Sequence, residues 1–549
     1  MFISDTMKLM IVFFVLIGKI VGQDTATVRT RLGDVIGISS SLNIDNKTYK
    51  YNLFKRIPYA KPPINDLRFS EPVPHGPWTG TLDATTFGPS CIQIPITNTY
   101  LPNMKMSEDC LFLNIYVPTD NSVTKAVMVW VHGGAFQIGQ GMGYPGSYLA
   151  VTGDVVIVTV NYRLGVFGFF STQDNLAPGN YGLWDQRLAV KWVHDNIDSF
   201  GGDPNLITVF GESAGGFSVG LMAISPSNMG LFKRVILQSG VGNSLLAISP
   251  VARLATEKLA RVSNCSENLT NETMKCLRSK TANDIFQAYT VVAREQEKYH
   301  ELPFSIPFAP VVDGKFLLQS PQNILNGSKN PSLDFYKSLD VIIGNCEGEG
   351  SLLLGSLVGE QYNILAGIPS SYLCNHIIPS FALEFYNNNS RILHAICNQY
   401  KSEGPVQIES LNSLKFHGDA FFYSPTTQSL NVHSMTSVTN TFEYIVRRLR
   451  SDSNNFIPWF HEAGHGYENW YLFPWTPLAN ASEDAQSFSQ TMMQYWTNFA
   501  KTGYYFIWWK NSEYLCKPKN FGRKTDNLCI LAHVTVVRLK HSNLVLTCA

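Results

Sequence analysis

Five short apolar runs stand out along the chain, and none alternates regularly with polar positions: Ala126 to Val131, Val155 to Val160, Leu206 to Phe210, Arg234 to Leu237 and Asp340 to Ile343. Unbroken runs of this length fit strands covered on both faces, which predicts a largely parallel sheet. Between the second and third runs, Tyr181 to Ser199 places Ala189, Val193 and Ile197 four residues apart, the spacing of one buried helix face. Strand and helix patterns alternate in this way over much of the chain, an α/β rhythm. The stretches from Val251 to about Leu333 and from Ser356 to Trp459 depart from it and read as mainly helical, less regular insertions. Length alone, 549 residues, suggests about three or four domains. Apolar runs continue throughout, however, without a low-complexity linker or internal repeat. One large α/β domain with long insertions is therefore expected.

The third run leads straight into Gly211-Glu212-Ser213-Ala214-Gly215, followed by the small-residue segment Gly216 to Met222. Strand, Gly-x-Ser-x-Gly and helix in that order predict a nucleophile elbow, a sharp turn whose strained serine needs small neighbours. The helix that follows aims its first N–H groups at the site, where they favour developing negative charge. A second element, Trp130-Val131-His132-Gly133-Gly134-Ala135-Phe136, also lies at a strand end. Acyl transfer develops an oxyanion, and Gly-Gly lets backbone N–H groups approach it without a Cβ in the way. The donors are expected to be Gly134 and Ala135, with Ala214 as the third.

A serine nucleophile needs a base, and the base an acid to orient it, in the chain order Ser, Asp/Glu, His for this kind of elbow. Glu349 is the acid candidate, in a loop after the Asp340 strand, with Glu347 its near rival. His465, between small residues in Ala463-Gly464-His465-Gly466, is the base candidate among twelve histidines. Two other patterns point elsewhere. His461-Glu462-Ala463-Gly464-His465 spells the zinc-protease motif, which works only on a helix. Pro458, Gly464 and Gly466 oppose a helix there and no third ligand is evident, so no metal is expected. Gly141-x-Gly143-x-x-Gly146 fits a dinucleotide fingerprint, but Pro145 and the lack of a clear following helix favour a surface loop.

Lys8 followed by the apolar run Leu9 to Gly18 is too short to span a bilayer and reads as a signal peptide, residues 1–22, cut after Gly22. Seven Asn-x-Ser/Thr sequons, at Asn46, Asn264, Asn268, Asn271, Asn326, Asn388 and Asn480, fit a glycosylated, secreted, extracellular product. Ten cysteines fit the same oxidising compartment. Cys91 with Cys110 and Cys265 with Cys276 look like local pairs. Cys346, Cys374, Cys397, Cys516, Cys529 and Cys548 have no partner that spacing identifies. Basic and acidic residues balance at 42 each, which argues against nucleic acid or an anionic membrane surface as partner.

These motifs together resemble the type-B carboxylesterase/cholinesterase family. The resemblance runs from Leu32-Gly33-Asp34-Val35-Ile36-Gly37 to Tyr495 through Gly503. It includes Ser107-Glu108-Asp109-Cys110, Asn161-Tyr162-Arg163-Leu164-Gly165, Phe200-Gly201-Gly202-Asp203-Pro204 and the elbow itself, with Glu212. It implies an α/β-hydrolase fold over residues 23–503, with a large mostly parallel central sheet, flanking helices and long helical insertions. It also implies a triad of Ser213, Glu349 and His465, an oxyanion hole of Gly134, Ala135 and Ala214, and bridges Cys91–Cys110 and Cys265–Cys276. The implied activity is hydrolysis of a small-molecule carboxylic ester through an acyl-enzyme, without a cofactor. Two departures qualify it. Where cholinesterases carry a choline-binding tryptophan this chain has Tyr100, a poorer seat for a cation, so a neutral ester is expected. After Gly503 the family's Asn-Pro turn and final helix are replaced by a divergent tail, 504–549, which bears on folding more than on chemistry. The alternative from another class is a cholinesterase-like adhesion or binding protein; relatives of that kind typically lose a triad member, and here all three stand.

Overall fold

The structure, a computed structural model, describes residues 24–94, 105–119, 123–299, 306–327, 330–353, 365–436, 438–447, 457, 459–474, 480–505, 528–531 and 534–538, with 295–299, 436 and the last two groups as backbone alone. The expected leader and Tyr100 lie outside the described residues, as do Cys516 and Cys548.

All five apolar runs are strands of one sheet. In chain order the sheet strands are β1 (Thr25–Thr30), β2 (Gly33–Ile44), β3 (Lys47–Pro58), β4 (Phe112–Pro118), β5 (Lys125–Val131) and β6 (Val156–Val160). They continue with β7 (Gly202–Glu212), β8 (Arg234–Gln238), β9 (Asp340–Cys346), β10 (Thr441–Val446), β11 (Leu528–Leu531) and β12 (Val534–Arg538). Their spatial order is β1-β2-β3-β4-β6-β5-β7-β8-β9-β10-β12-β11, with the short strand Thr81–Asp83 beside β2. From β6 through β10 the neighbours are parallel, and antiparallel strands close both ends. This is the mostly parallel sheet of an α/β-hydrolase.

The unbroken apolar runs follow from how the sheet is covered. Alternate residues of a strand point to opposite faces. Val127, Val129, Val131, Val209, Val235 and Ile343 enter one core cluster, beneath the helices α1 (Tyr181–Asn196) and α2 (Ala214–Ala223). Met128, Trp130, Phe210, Ile236 and Ile342 enter the other, against α3 (Glu483–Thr502) through Met492, Trp496 and Phe499. Ala189, Val193 and Ile197 are all fully buried, as their spacing predicts. Burial of large side chains on this scale contributes about 1.5–3 kcal/mol for each one removed from water.

The insertions are helical over Ala252–Val262, Asn271–Ser279, Ala282–Tyr299 and most of Ser370–Thr436. One expectation fails there. Thr441–Val446, inside the second stretch read as mainly helical, is β10, paired in parallel with β9 from Val341↔Thr441 to Cys346↔Val446. Glu443, half-buried in the middle of the strand, breaks the apolar run that would have marked it. In the divergent tail, β12 pairs Val534–Arg538 with β10 and extends the sheet.

Cys91 is bridged to Cys110 and Cys265 to Cys276, as expected. A third bridge, Cys374–Cys397, joins two insertion helices, and Cys346 is a buried free thiol. Cys529 lies in β11, where the backbone alone is described. All seven sequon asparagines are solvent-exposed. No helix among the described residues is long and apolar enough to cross a membrane.

Candidate active site

Ser213 sits between the end of β7 and the start of α2 with φ 57° and ψ −124°. A non-glycine residue in that region is strained by about 1–3 kcal/mol. The neighbours hold it there: its N–H donates to Gln238 O at 2.9 Å and its carbonyl accepts from Phe217 N–H at 2.8 Å. Gly215 is required by the same turn, because a Cβ there would lie 2.0 Å from Val131 O. The elbow therefore follows from a strand and a helix brought closer than any side chain permits.

The loop after β5 faces Ser213. Gly134 has φ +108°, and a Cβ on it would meet Ile138 O at 2.2 Å, while Ala135 is also left-handed at φ 54°. The Gly134 carbonyl turns away to accept from Gln137 and Ile138 N–H groups at 2.9 and 3.0 Å. The N–H groups of Gly134, Ala135 and Ala214 find no acceptor among the described residues. An oxyanion is best held by backbone N–H groups that are not already engaged.

Glu349 and His465 are 116 residues apart in sequence and meet through a bridge between their loops, Gly348 against Gly464. Gly348 N–H donates to Ala463 O at 2.8 Å, and His465 N–H donates to Ser351 Oγ at 3.0 Å. The imidazole Nδ1 then lies 2.6 Å from Glu349 Oε2, with Glu349 fully buried. Glu347, the rival acid, is exposed and lies 3.7 Å from Arg447. Geometry thus brings Glu349, not Glu347, to the histidine.

The other ring nitrogen, Nε2, is buried and makes no hydrogen bond; its nearest charge is Glu212 Oε1 at 3.2 Å. Burial pushes the Glu212 carboxyl well up, and the His465 charge opposes this. Burial alone would lower His465, but Glu349 and then Glu212 outweigh it and push the imidazole up to about 9. Both neighbouring carboxyl groups, Glu349 at Nδ1 and Glu212 at Nε2, thus favour the protonated ring. Nε2 is not hydrogen-bonded to the Ser213 hydroxyl.

Several neighbours gave no sign in the sequence. Phe422, on a π-helical turn over Asp419–Tyr423, places its ring 4.9 Å from that of His465 and 6.3 Å from Phe217. Glu468 is fully buried and accepts from Ser239 Oγ at 3.0 Å and Tyr444 OH at 3.2 Å. The zinc-like motif lies in an irregular loop and turn, so its two imidazoles do not share a helix face. A seven-residue helix, Ser147–Gly153, does follow the Gly141–Gly146 run, contrary to expectation. Gly141 packs against Thr159 and Gly146 against Ile157 and Tyr116, while a Cβ on Gly143 would meet only Gln140.

A model of the carboxylesterase family matches residues 24–526, past the point at Gly503 where the sequence motifs stop. The medium-chain fatty acyl-CoA hydrolase precursor of Anas platyrhynchos is 33% identical over 86% of this chain and 84% of its own length. Acetylcholinesterase of Bungarus fasciatus is 33% identical over 87% and 78%, and carboxylesterase 5A of Felis catus 34% over 86% and 85%. With the sheet, the elbow and these likenesses in agreement, the chain belongs to the carboxylesterase family, carboxylic ester hydrolases built on the α/β-hydrolase fold.

Proposed function

We propose that this carboxylic ester hydrolase works through an acyl-enzyme on Ser213, with His465 as general base and acid and Glu349 orienting it. The observation that carries the reading is the buried Glu349–His465 pair, 2.6 Å apart, whose other ring nitrogen lies 3.2 Å from Glu212, the residue next to the strained Ser213. His465 Nε2, neutral, takes the hydroxyl proton as Ser213 Oγ bonds to the ester carbonyl carbon. The carbonyl π electrons move to oxygen, and the N–H groups of Gly134, Ala135 and Ala214 hold the oxyanion. Collapse breaks the bond to the alkoxy group, which leaves with the proton from Nε2. Water then repeats the sequence on the acyl-enzyme and frees the acid. Glu349 fixes the tautomer and stabilises the imidazolium.

The substrate is a small, neutral carboxylic ester, taken over a broad range. The product is secreted and glycosylated, supported by the leader-like N-terminus, three disulfides and seven exposed sequons. The test is turnover of p-nitrophenyl acetate and butyrate by the secreted protein, with and without an organophosphate, beside Ser213→Ala. Loss of turnover to both is expected, with the substitution costing at least about 10⁴-fold in kcat. No turnover by folded wild-type protein overturns the reading and favours an adhesion role. Turnover that survives Ser213→Ala but is lost to a chelator assigns the chemistry to a metal.

A further inference from the structure

Three buried carboxylates surround His465, and the mechanism above gives Glu468 no part. Its partners arrive from three adjacent strands: Ser239 after β8, Tyr444 in β10 and Cys346 at the end of β9. Ser239 and Tyr444 hydroxyls donate to Oε1, and the Cys346 thiol donates to Oε2 at 2.7 Å. Burial and then Glu349 push the Glu468 carboxyl up, and the Cys346 thiol opposes this by donating to the ionised form. Cys346 is tied to the second carboxylate as well, since its backbone N–H donates to Glu349 Oε1 at 2.7 Å. Its carbonyl accepts from Tyr423 OH at 3.0 Å, which fixes the residue from the other side. Burial, Glu468 and Glu349 all push the thiol up, so the sulfur keeps its proton and remains a donor.

We infer that Cys346 is a positioning residue for the acid–base pair: its amide anchors Glu349 while its thiol holds Glu468, linking two carboxyl groups behind His465. The inference deepens the serine-esterase reading of this site and rests on it. The titratable groups around the imidazole and Glu468 are Glu212 from β7, Glu349 and Cys346 from β9 and its loop, Tyr444 from β10, and Tyr423 from the π-helical turn. Without the thiol, Glu468 keeps two of three donors and moves toward its protonated form. Less negative charge then faces His465, and the imidazolium loses its proton at lower pH.

The experiment follows the low-field proton of the short His465 Nδ1–Glu349 bond by NMR against pH, in wild type, Cys346→Ala, Cys346→Ser and Glu468→Gln. Glu468→Gln and Cys346→Ala are expected to lower the titration midpoint by roughly 0.5–1 unit, while serine, which restores a donor, returns it close to wild type. A midpoint unmoved in Cys346→Ala overturns the inference, whatever Glu468→Gln does. If the alanine variant does not fold, the S–H infrared stretch is compared in wild type and Glu468→Gln. A shift to higher frequency on losing the carboxylate supports the thiol–carboxylate bond, and an unchanged band overturns it. The titration needs no turnover, so the two readings fail separately. Hydrolysis lost to Ser213→Ala with an unmoved midpoint in Cys346→Ala sinks this inference alone, and a lowered midpoint without hydrolysis sinks the esterase reading alone.

Discussion

Replacing Glu212 by Gln tests the resting state of the site most directly. The change is nearly isosteric and removes one charge 3.2 Å from His465 Nε2. At that distance, with an effective dielectric constant of about 20, a full carboxylate charge favours the imidazolium by about 5 kcal/mol, an upper bound. Burial raises the Glu212 carboxyl itself, so near neutrality the charge is partial and the effect smaller. Opposite charges this close move protein pKa values by about 1–3 units, and a fall of about 1–2 units is expected here. The sign follows from the base's task. His465 must be neutral to accept the serine proton, and Glu212 holds it protonated; losing the anion frees the base at lower pH. The acid limb of kcat/KM against pH, which reports the free enzyme, therefore moves down in Glu212→Gln with p-nitrophenyl butyrate as substrate. A limb that stays in place or moves up refutes the ion pair as the resting state.

Three further outcomes follow from the structure. Gly134→Ala places a Cβ 2.2 Å from Ile138 O at φ +108° and displaces a proposed oxyanion donor, so kcat should fall about 10²–10³-fold with little change in melting temperature. Arg163 grips Asp185 through Nε and Nη2 at 2.7 Å each in a fully dry setting; Arg163→Met strands the carboxylate and should cost about 3–5 kcal/mol in urea unfolding, largely recovered by adding Asp185→Leu. Trp496, fully buried with Nε1 donating to Gln238 Oε1 at 3.0 Å, links α3 to β8; Trp496→Ala should destabilise by about 3–5 kcal/mol, read as a lower denaturation midpoint, while folded enzyme keeps its KM.

The elements that sequence disclosed are those whose physics is local. Ser213 and Gly134 announce themselves because a strained turn and a close backbone approach need small residues at contiguous positions. The parallel strands other than β10 show because both faces are buried, so nearly every position is apolar. The acid of the pair was only narrowed to Glu347 or Glu349 by its loop, since the choice depends on which one turns inward after β9. β10, Phe422, Glu468 and the Cys374–Cys397 bridge left no readable trace. Each is defined by what the rest of the chain brings to it, not by its neighbours in sequence.

The bridge between Gly348 and Gly464 has a consequence for how this protein matures. The proposed acid and base come together only when two loops 116 residues apart dock side by side, and the proposed nucleophile comes from a third, earlier part of the chain. Contacts of such long sequence separation are slow to form, because loop closure must precede any reward from packing. Secondary structure and most of the sheet can therefore be present in a chain that has no working catalytic group. During refolding, far-ultraviolet ellipticity will return before ester hydrolysis does, and the lag between the two measures the docking of the histidine loop. Turnover in this enzyme is a report that the last long-range contact has closed.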